Sequence, residues 1–345
     1  MIPNFIPESV EDFAQEAKKH LEQSQINYIY SGTESQSTLD RNVAAFSRYL
    51  LQRRVLRNIE SVELNVSYFD KRLSSELPFF PAPVNCSPLY PNAIVDLLKV
   101  TNSFSVPVFV SQVSVIPPLD ASRLPQLVKN KSSSLIWQIY MQTDNMVDCY
   151  KHAKLAESWG YKALAVTVDA ELNVKLRNEI AAQTASHSFV KVTPKEIKKL
   201  RQLSSLPLIV KGVMNADDAE LAIESGADGI VISNHGARVL DHMSSTLEAL
   251  PEMVKRVKSK KKFRNTEVFF DGGIRRGTDI LIALALGARA CLLGRPVLWA
   301  LACDHENGVA RMMAILKSEL ERAAILCGVS NISKVAPSVV KKAEF

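Results

Sequence analysis

Eight short apolar runs punctuate the chain, at 79–83, 106–110, 135–139, 163–168, 207–210, 229–232, 267–270 and 290–293; each is bounded by turn residues and followed by a segment of helical periodicity. Strand and helix alternating at this pitch predict an α/β fold, a single (β/α)8 TIM barrel in which a parallel sheet closes inside a ring of helices. The rival is an open doubly wound sheet. It calls for a Gly-x-Gly-x-x-Gly turn after an early strand, and the sequence has none.

One connection shows how a unit closes. Asn215 can accept from the free amides of a helix start, Asp218 follows three residues later, Ala219, Ala222 and Ile223 form an apolar stripe, and Gly226 ends the helix. Ahead of the first run, Ser9 can cap a helix whose apolar face is Val10, Phe13, Ala14, Ala17 and Leu21; Tyr28 and Tyr30 then precede Ser31-Gly32. The expected organisation is one domain over 1–345: a helical cover at 1–70, the barrel at 71–330 and a tail at 331–345. With 47% hydrophobic residues, 345 residues can fill one large core.

The residues that follow the strands carry the chemistry. Reading outward, the runs end on Ser111, Gln138 with Tyr140, Thr167 with Asp169, Lys211, Ser233 with His235 and Arg238, Asp271, and Gly294 with Arg295. In a parallel barrel all of these project onto one rim, where this architecture builds its active sites.

His235 and Arg238 leave the same buried strand, so a base and a fixed cation can meet one anionic substrate. Asp169, from another strand end, can orient the imidazole and stabilise its protonated form. The plainer alternative is a structural histidine, but the other five histidines lack such company. Gly272-Gly273 with Arg275, and Gly294 with Arg295, let backbone amides and guanidinium charge approach an anion, and a phosphate fits there. A tight turn beside a surface cation is the alternative. Lys211, among apolar residues, would be costly to bury unpaired, which points to an electron-rich ligand rather than a snorkelling rim lysine.

Net charge and cysteines narrow the class. Much of the +6 charge sits at 255–264, read as a helix end entering a solvated loop; without interleaved aromatics it points away from nucleic acid. The apolar stretch at 281–293 is broken by Gly287 and Arg289, so no membrane span is expected. Five cysteines without paired or metal-like spacing, and no secretory pattern at the start, lead to the expectation of reduced thiols, no metal and a cytoplasmic location. Ala343-Glu344-Phe345 is not a peroxisomal tripeptide of the Ser-Lys-Leu type.

Lys211-Gly212-Val213, the block from Ser233 through His235 and Arg238 to Asp241, the block from Asp271 to Asp279, and Gly294-Arg295-Pro296 resemble the signature segments of the FMN-dependent α-hydroxy acid oxidases and dehydrogenases. This is the group that includes glycolate oxidase and the flavin domain of flavocytochrome b2. The resemblance runs from Tyr28 to Leu326 and is most specific from Lys211 to Pro296. It implies oxidation of an L-2-hydroxy acid to the 2-oxo acid, FMN as cofactor, a small-molecule partner and a homotetramer. It implies that His235 removes the α-proton or the hydroxyl proton, that Asp169 supports the imidazolium, that Arg238 binds the substrate carboxylate, and that Tyr140 and Tyr28 hydrogen-bond the substrate. Ser111, Gln138, Thr167 and Lys211 would meet the flavin ring, Ser233 and Asp271 the ribityl chain, and Gly273, Arg275, Gly294 and Arg295 the phosphate.

The chain also departs from that pattern. Val113 stands where the group has a tryptophan, Pro83-Val84-Asn85 and Tyr90-Pro91-Asn92-Ala93 replace two blocks after the first strand, and Leu176 occupies the place of a second substrate-facing arginine, with Lys175 and Arg177 beside it. The span from Asp169 to Lys211 is short, so most of the group's substrate lid is missing. A shortened lid exposes a site to water, and a lost cation weakens carboxylate binding. Two other readings therefore stand beside the enzyme: a catalytically weak flavin-binding scaffold or regulator, and a flavin-free barrel acting on a phosphorylated metabolite. Oxygen, a quinone and a cytochrome are all open as electron acceptors.

Overall fold

Parallel pairing joins eight strands into one sheet in a computed structural model that describes residues 5–115, 119–128, 134–141, 146–170 and 191–344. The strands are Phe79–Pro81, Val108–Ser111, Leu135–Tyr140, Ala163–Thr167, Leu208–Val213, Gly229–Ile232, Glu267–Asp271 and Ala290–Leu293. In the ladder the first strand pairs with the eighth, and the order then descends to the second, which lies beside the first and completes the barrel. Helices follow the strands and pack outside, as the alternation predicts.

Several strands run further outward than their apolar runs. The second, third and seventh end on Ser111, Tyr140 and Asp271 because the backbones of these polar residues still pair within the ladder. In the fifth strand Lys211 lies opposite Val231 and Val213 opposite Ile232, so Gly212, at φ +109°, is one residue extra. This is a bulge, and glycine tolerates its left-handed backbone.

Inside, Phe80 meets Phe109 and Phe269 at ring-centroid distances of 6.2 and 6.3 Å, and Tyr68 packs on Phe269 at 5.4 Å. Tyr68 belongs to a hairpin, Val66–Tyr68 with Leu73–Ser75, which closes the end where the strands begin. Of the cover helices Val10–Ala17, Gln23–Tyr30 and Ser37–Ala44, the second and third reach the opposite rim, and the first packs against the helix Arg295–Leu326. Ser9 caps the first of these in a capping box with Asp12, and Val10, Phe13 and Ala17 are buried; the helix ends before Leu21. Asn215 caps Ala216–Glu224 by accepting from the Asp218 amide. In the tail, Val340–Lys342 pairs antiparallel with Tyr49–Leu51.

The cationic stretch 255–264 ends the helix Thr246–Ser259 and lies against an acidic neighbour. Arg256 reaches Asp217 at 2.8 Å and Glu220 at 3.1 Å, Lys260 also reaches Glu220, and Lys262 meets Glu224 at 2.5 Å. Three of its seven cations are thus paired with the preceding helix, Ala216–Glu224. All five cysteines are free and buried, and among the described residues no helix is long and apolar enough to cross a membrane.

Candidate active site

His235 follows the sixth strand in a turn where His235, Gly236 and Ala237 all have left-handed backbone (φ 56°, 65° and 61°). The turn carries its imidazole over the rim. Nδ1 lies 2.9 Å from Asp169 Oδ1, and because an ionised carboxylate only accepts, Nδ1 must donate. Burial raises the Asp169 pKa, but the charges of His235 and Lys211 outweigh it and hold the carboxyl below its ordinary range. That bond fixes the tautomer and leaves the lone pair on Nε2, 3.4 Å from the Tyr140 hydroxyl. Burial pushes the Tyr140 phenol well up, so it stays a donor. The second carboxylate oxygen of Asp169 is buried and has no partner among the described residues.

Arg238 comes off the same loop. It donates to the Tyr28 carbonyl at 2.6 Å and stacks over the Tyr28 ring at 4.6 Å. Among the described residues no carboxylate pairs with it. Tyr28 in turn donates its hydroxyl to the Asn85 carbonyl at 3.1 Å. The rim thus presents an oriented base, two phenols and a guanidinium on one side.

Beneath them lies a buried polar floor. Ser111 donates to Gln138 Oε1 at 2.7 Å, and Gln138 Nε2 donates to Thr167 Oγ1 at 2.9 Å, across neighbouring strand ends. Lys211 donates to Ser233 Oγ at 2.9 Å and stands 3.5 Å from Asp271 Oδ2. The other oxygen, Asp271 Oδ1, is buried without a partner among the described residues. Natural proteins satisfy such groups, so an orphaned acceptor beside a buried ammonium fits a hydroxyl-bearing ligand.

The end of the site near the last two strands is built for an anion. Gly273, at φ +80°, passes so close to the cover that a Cβ would stand 1.9 Å from the Asn42 carbonyl oxygen; beside Gly294, by contrast, the nearest atom would be Val84 Cγ1 at 4.0 Å. A ligand can therefore approach the Gly294 backbone. Half-buried Arg275 donates to the Ile274 carbonyl at 2.7 Å and has no carboxylate partner among the described residues. Burial pushes Arg275 down to about 10, and burial with the nearby Arg238 and Arg275 charges pushes Arg295 to about 9, which leaves both cationic at neutral pH. With Trp299, the two arginines line a cavity of about 400 Å³.

Arg295 is differently used than its sequence position implies. Its Nε, Nη1 and Nη2 donate to the carbonyls of Ile29, Gly236 and Ser31, each at 2.9 Å. The guanidinium is consumed in pinning the cover to the His235 loop; what it adds for an anion is charge, and a place at the start of the helix Arg295–Leu326.

Residues that the sequence did not single out do similar work. Asp241 accepts from the Ser35 hydroxyl, from the Ser37 hydroxyl at 2.8 Å and from the Thr38 amide at 2.8 Å. Asn42 and Asn234 exchange amide hydrogen bonds at 3.0 and 2.9 Å. Their signal was faint, since a lone Asp or Asn reads as a turn residue until its partner some 200 positions away is known. Of the departures, Val113 lies half-buried in the turn Gln112–Ser114. Lys175, Leu176 and Arg177 lie outside the described residues.

Comparison with known proteins agrees with this geometry. The family model for FMN-dependent dehydrogenases matches residues 17–191 and 172–342. Human 2-hydroxyacid oxidase 1 is 34% identical over 99% of this chain and 98% of its own length, and the 2-hydroxyacid oxidase of Dictyostelium discoideum is 32% identical over 96% and 89%. Among solved structures, the flavin-binding domain of baker's yeast flavocytochrome b2 superposes with a TM-score of 0.89 at 29% identity, covering 97% of this chain and 86% of that one. Mandelate oxidase with benzoyl-formic acid gives 0.86 at 27%, covering 97% and 98%. With the barrel, the oriented histidine and the anion cradle in place, these matches establish that the chain belongs to the FMN-dependent α-hydroxy acid oxidase and dehydrogenase family, with FMN as its cofactor.

Proposed function

We propose that the protein oxidises an L-2-hydroxy acid to the corresponding 2-oxo acid. The observation that carries this reading is His235, held by Asp169 on one nitrogen and facing the Tyr140 hydroxyl with the other, beside an Arg238 that no carboxylate pairs among the described residues. Arg238 binds the substrate carboxylate, and the Tyr140 and Tyr28 hydroxyls hold its oxygens. His235 Nε2 accepts a proton, either from the α-carbon or from the hydroxyl, and Asp169 stabilises the imidazolium that results. FMN, when bound, supplies the two-electron acceptor. Ser111, Gln138, Thr167 and Lys211 would hold its ring; Ser233 and Asp271 would hold the ribityl hydroxyls. Gly273, Arg275, Gly294 and the backbone and charge of Arg295 would hold its phosphate.

The deciding experiment is anaerobic. Purified yellow protein mixed with glycolate, lactate and longer L-2-hydroxy acids should lose its flavin absorbance with at least one of them, and a panel without bleaching would refute the proposal. Leu176 and Val113, in place of a cation and a large aromatic, favour a second reading: a flavin-binding scaffold with little turnover. In that case the flavin stays oxidised with every acid, and His235→Ala changes neither flavin content nor reactivity.

A further inference from the structure

We propose that Trp299 is a positioning residue for the cofactor phosphate, acting through Arg275 as the middle of a stacked column that reaches to the protein surface. The inference rests on the reading of the glycine and arginine cradle given above. The Arg275 guanidinium lies over the Trp299 ring at 4.7 Å. The Tyr30 ring stacks on the indole at 5.6 Å with an interplanar angle of 28°, and the Lys18 ammonium lies over the Tyr30 ring at 4.7 Å. Each ring of this stacked pair thus carries a cation.

Arg275 needs such a support. Its chain is long, its one side-chain hydrogen bond goes to the carbonyl of its own neighbour Ile274, and no carboxylate holds it among the described residues. A guanidinium left to rotate would lose much of its value to an anion, because a planar fork binds phosphate well only when it is already oriented. The indole supplies that orientation through the attraction between a cation and the negative ring face.

Trp299 is itself rigid. It is 5% exposed and sits one helical turn after Arg295, whose guanidinium is fixed on three carbonyls. Tyr30 is held in turn by a hydrogen bond from its hydroxyl to the Ala14 carbonyl. The Trp299 Nε1 is buried without a partner among the described residues, and what the ring offers Arg275 is its face. The column therefore ties the first helix of the cover, Val10–Ala17, to the phosphate end of the site, which no contact of the reacting groups does.

Riboflavin, which is FMN without its phosphate, separates this role from simple packing. Full-length protein freed of flavin is titrated with FMN and with riboflavin, following flavin fluorescence. Trp299→Ala should weaken FMN by about tenfold and leave riboflavin unchanged. Trp299→Phe, which keeps a ring face, should restore most of the FMN affinity. Trp299→Ala combined with Arg275→Ala should bind FMN no worse than Arg275→Ala alone, since both act through one guanidinium. Equal losses for both flavins, an unchanged Trp299→Ala, or a Trp299→Phe as weak as Trp299→Ala would overturn the proposal. If Arg275→Ala keeps its preference for FMN, the cradle reading itself fails, and that outcome is distinct from a failure of Trp299 alone.

Discussion

Asp169 lies directly against Gly212: a Cβ on residue 212 would stand 2.4 Å from the Asp169 carboxyl carbon. The missing side chain is what lets the carboxylate come within 2.9 Å of His235. Gly212→Ala should therefore push Asp169 off the imidazole and also strain a backbone at φ +109°. Turnover should fall by about a hundredfold while flavin absorbance is retained, and stability by about 1–3 kcal/mol. Steady-state rates and urea denaturation of the variant test both; a variant with normal turnover would show that the packing does not set the geometry.

His235→Gln keeps a polar side chain but removes the base. Substrate-driven flavin reduction, measured by anaerobic stopped flow, should slow by about 10²–10⁴-fold with FMN still bound. Asp169→Asn should also slow it, because an amide can accept from Nδ1 but can equally present its own N–H and select the wrong tautomer. Reduction at the unmodified rate in either variant would remove that residue from the proposed chemistry.

Arg295→Lys tests the pin between the cover and the His235 loop. An ammonium on a flexible stem cannot reproduce three fork-like bonds to Ile29, Ser31 and Gly236. The variant should lose about 2–4 kcal/mol of stability, and limited proteolysis should cut the first forty or so residues sooner. Unchanged digestion would mean that Asp241 and the Asn42–Asn234 pair hold the cover by themselves.

Asp279 gives a pH signature. Burial pushes it from its ordinary 3.8 up to about 6, although the Arg275 and Arg276 amides donate to it at 2.8 and 2.9 Å. Between those values the folded chain keeps a proton that the unfolded chain has released. The stability this contributes is complete below the ordinary value and is lost as pH rises through about 6. Urea midpoints recorded across that window should vary less with pH in Asp279→Asn than in the parent protein, and parallel profiles would contradict this.

Much of the fold was legible because its signals are local. Each strand is a short apolar run, Ser9 and Asn215 announce their helices, and the polar residues after each run fall on one rim once the strands are parallel. The approach of His235 to Asp169 followed from the same topology. Less legible was anything that depends on partners distant in sequence. Arg295 reads as an anion ligand until its three carbonyls are seen, and Trp299 reads as core until the ring of Tyr30 and the guanidinium of Arg275 are found on its faces. Gly212 lay beyond the apolar run at 207–210, so neither the bulge nor the carboxylate on another strand that it makes room for was legible.

The additional residue in the fifth strand also sets a phase. Up to Lys211 the chain steps in time with its neighbour, and past Gly212 the pairing resumes one residue later, with Val213 opposite Ile232. Over that one rung the fifth strand spends two residues where its neighbour spends one, and Gly212 takes up the surplus at φ +109° against the Asp169 carboxyl. A single surplus residue thus separates the buried ammonium of Lys211 from the cap at Asn215, and it is the one place on that strand with room for a neighbouring carboxylate.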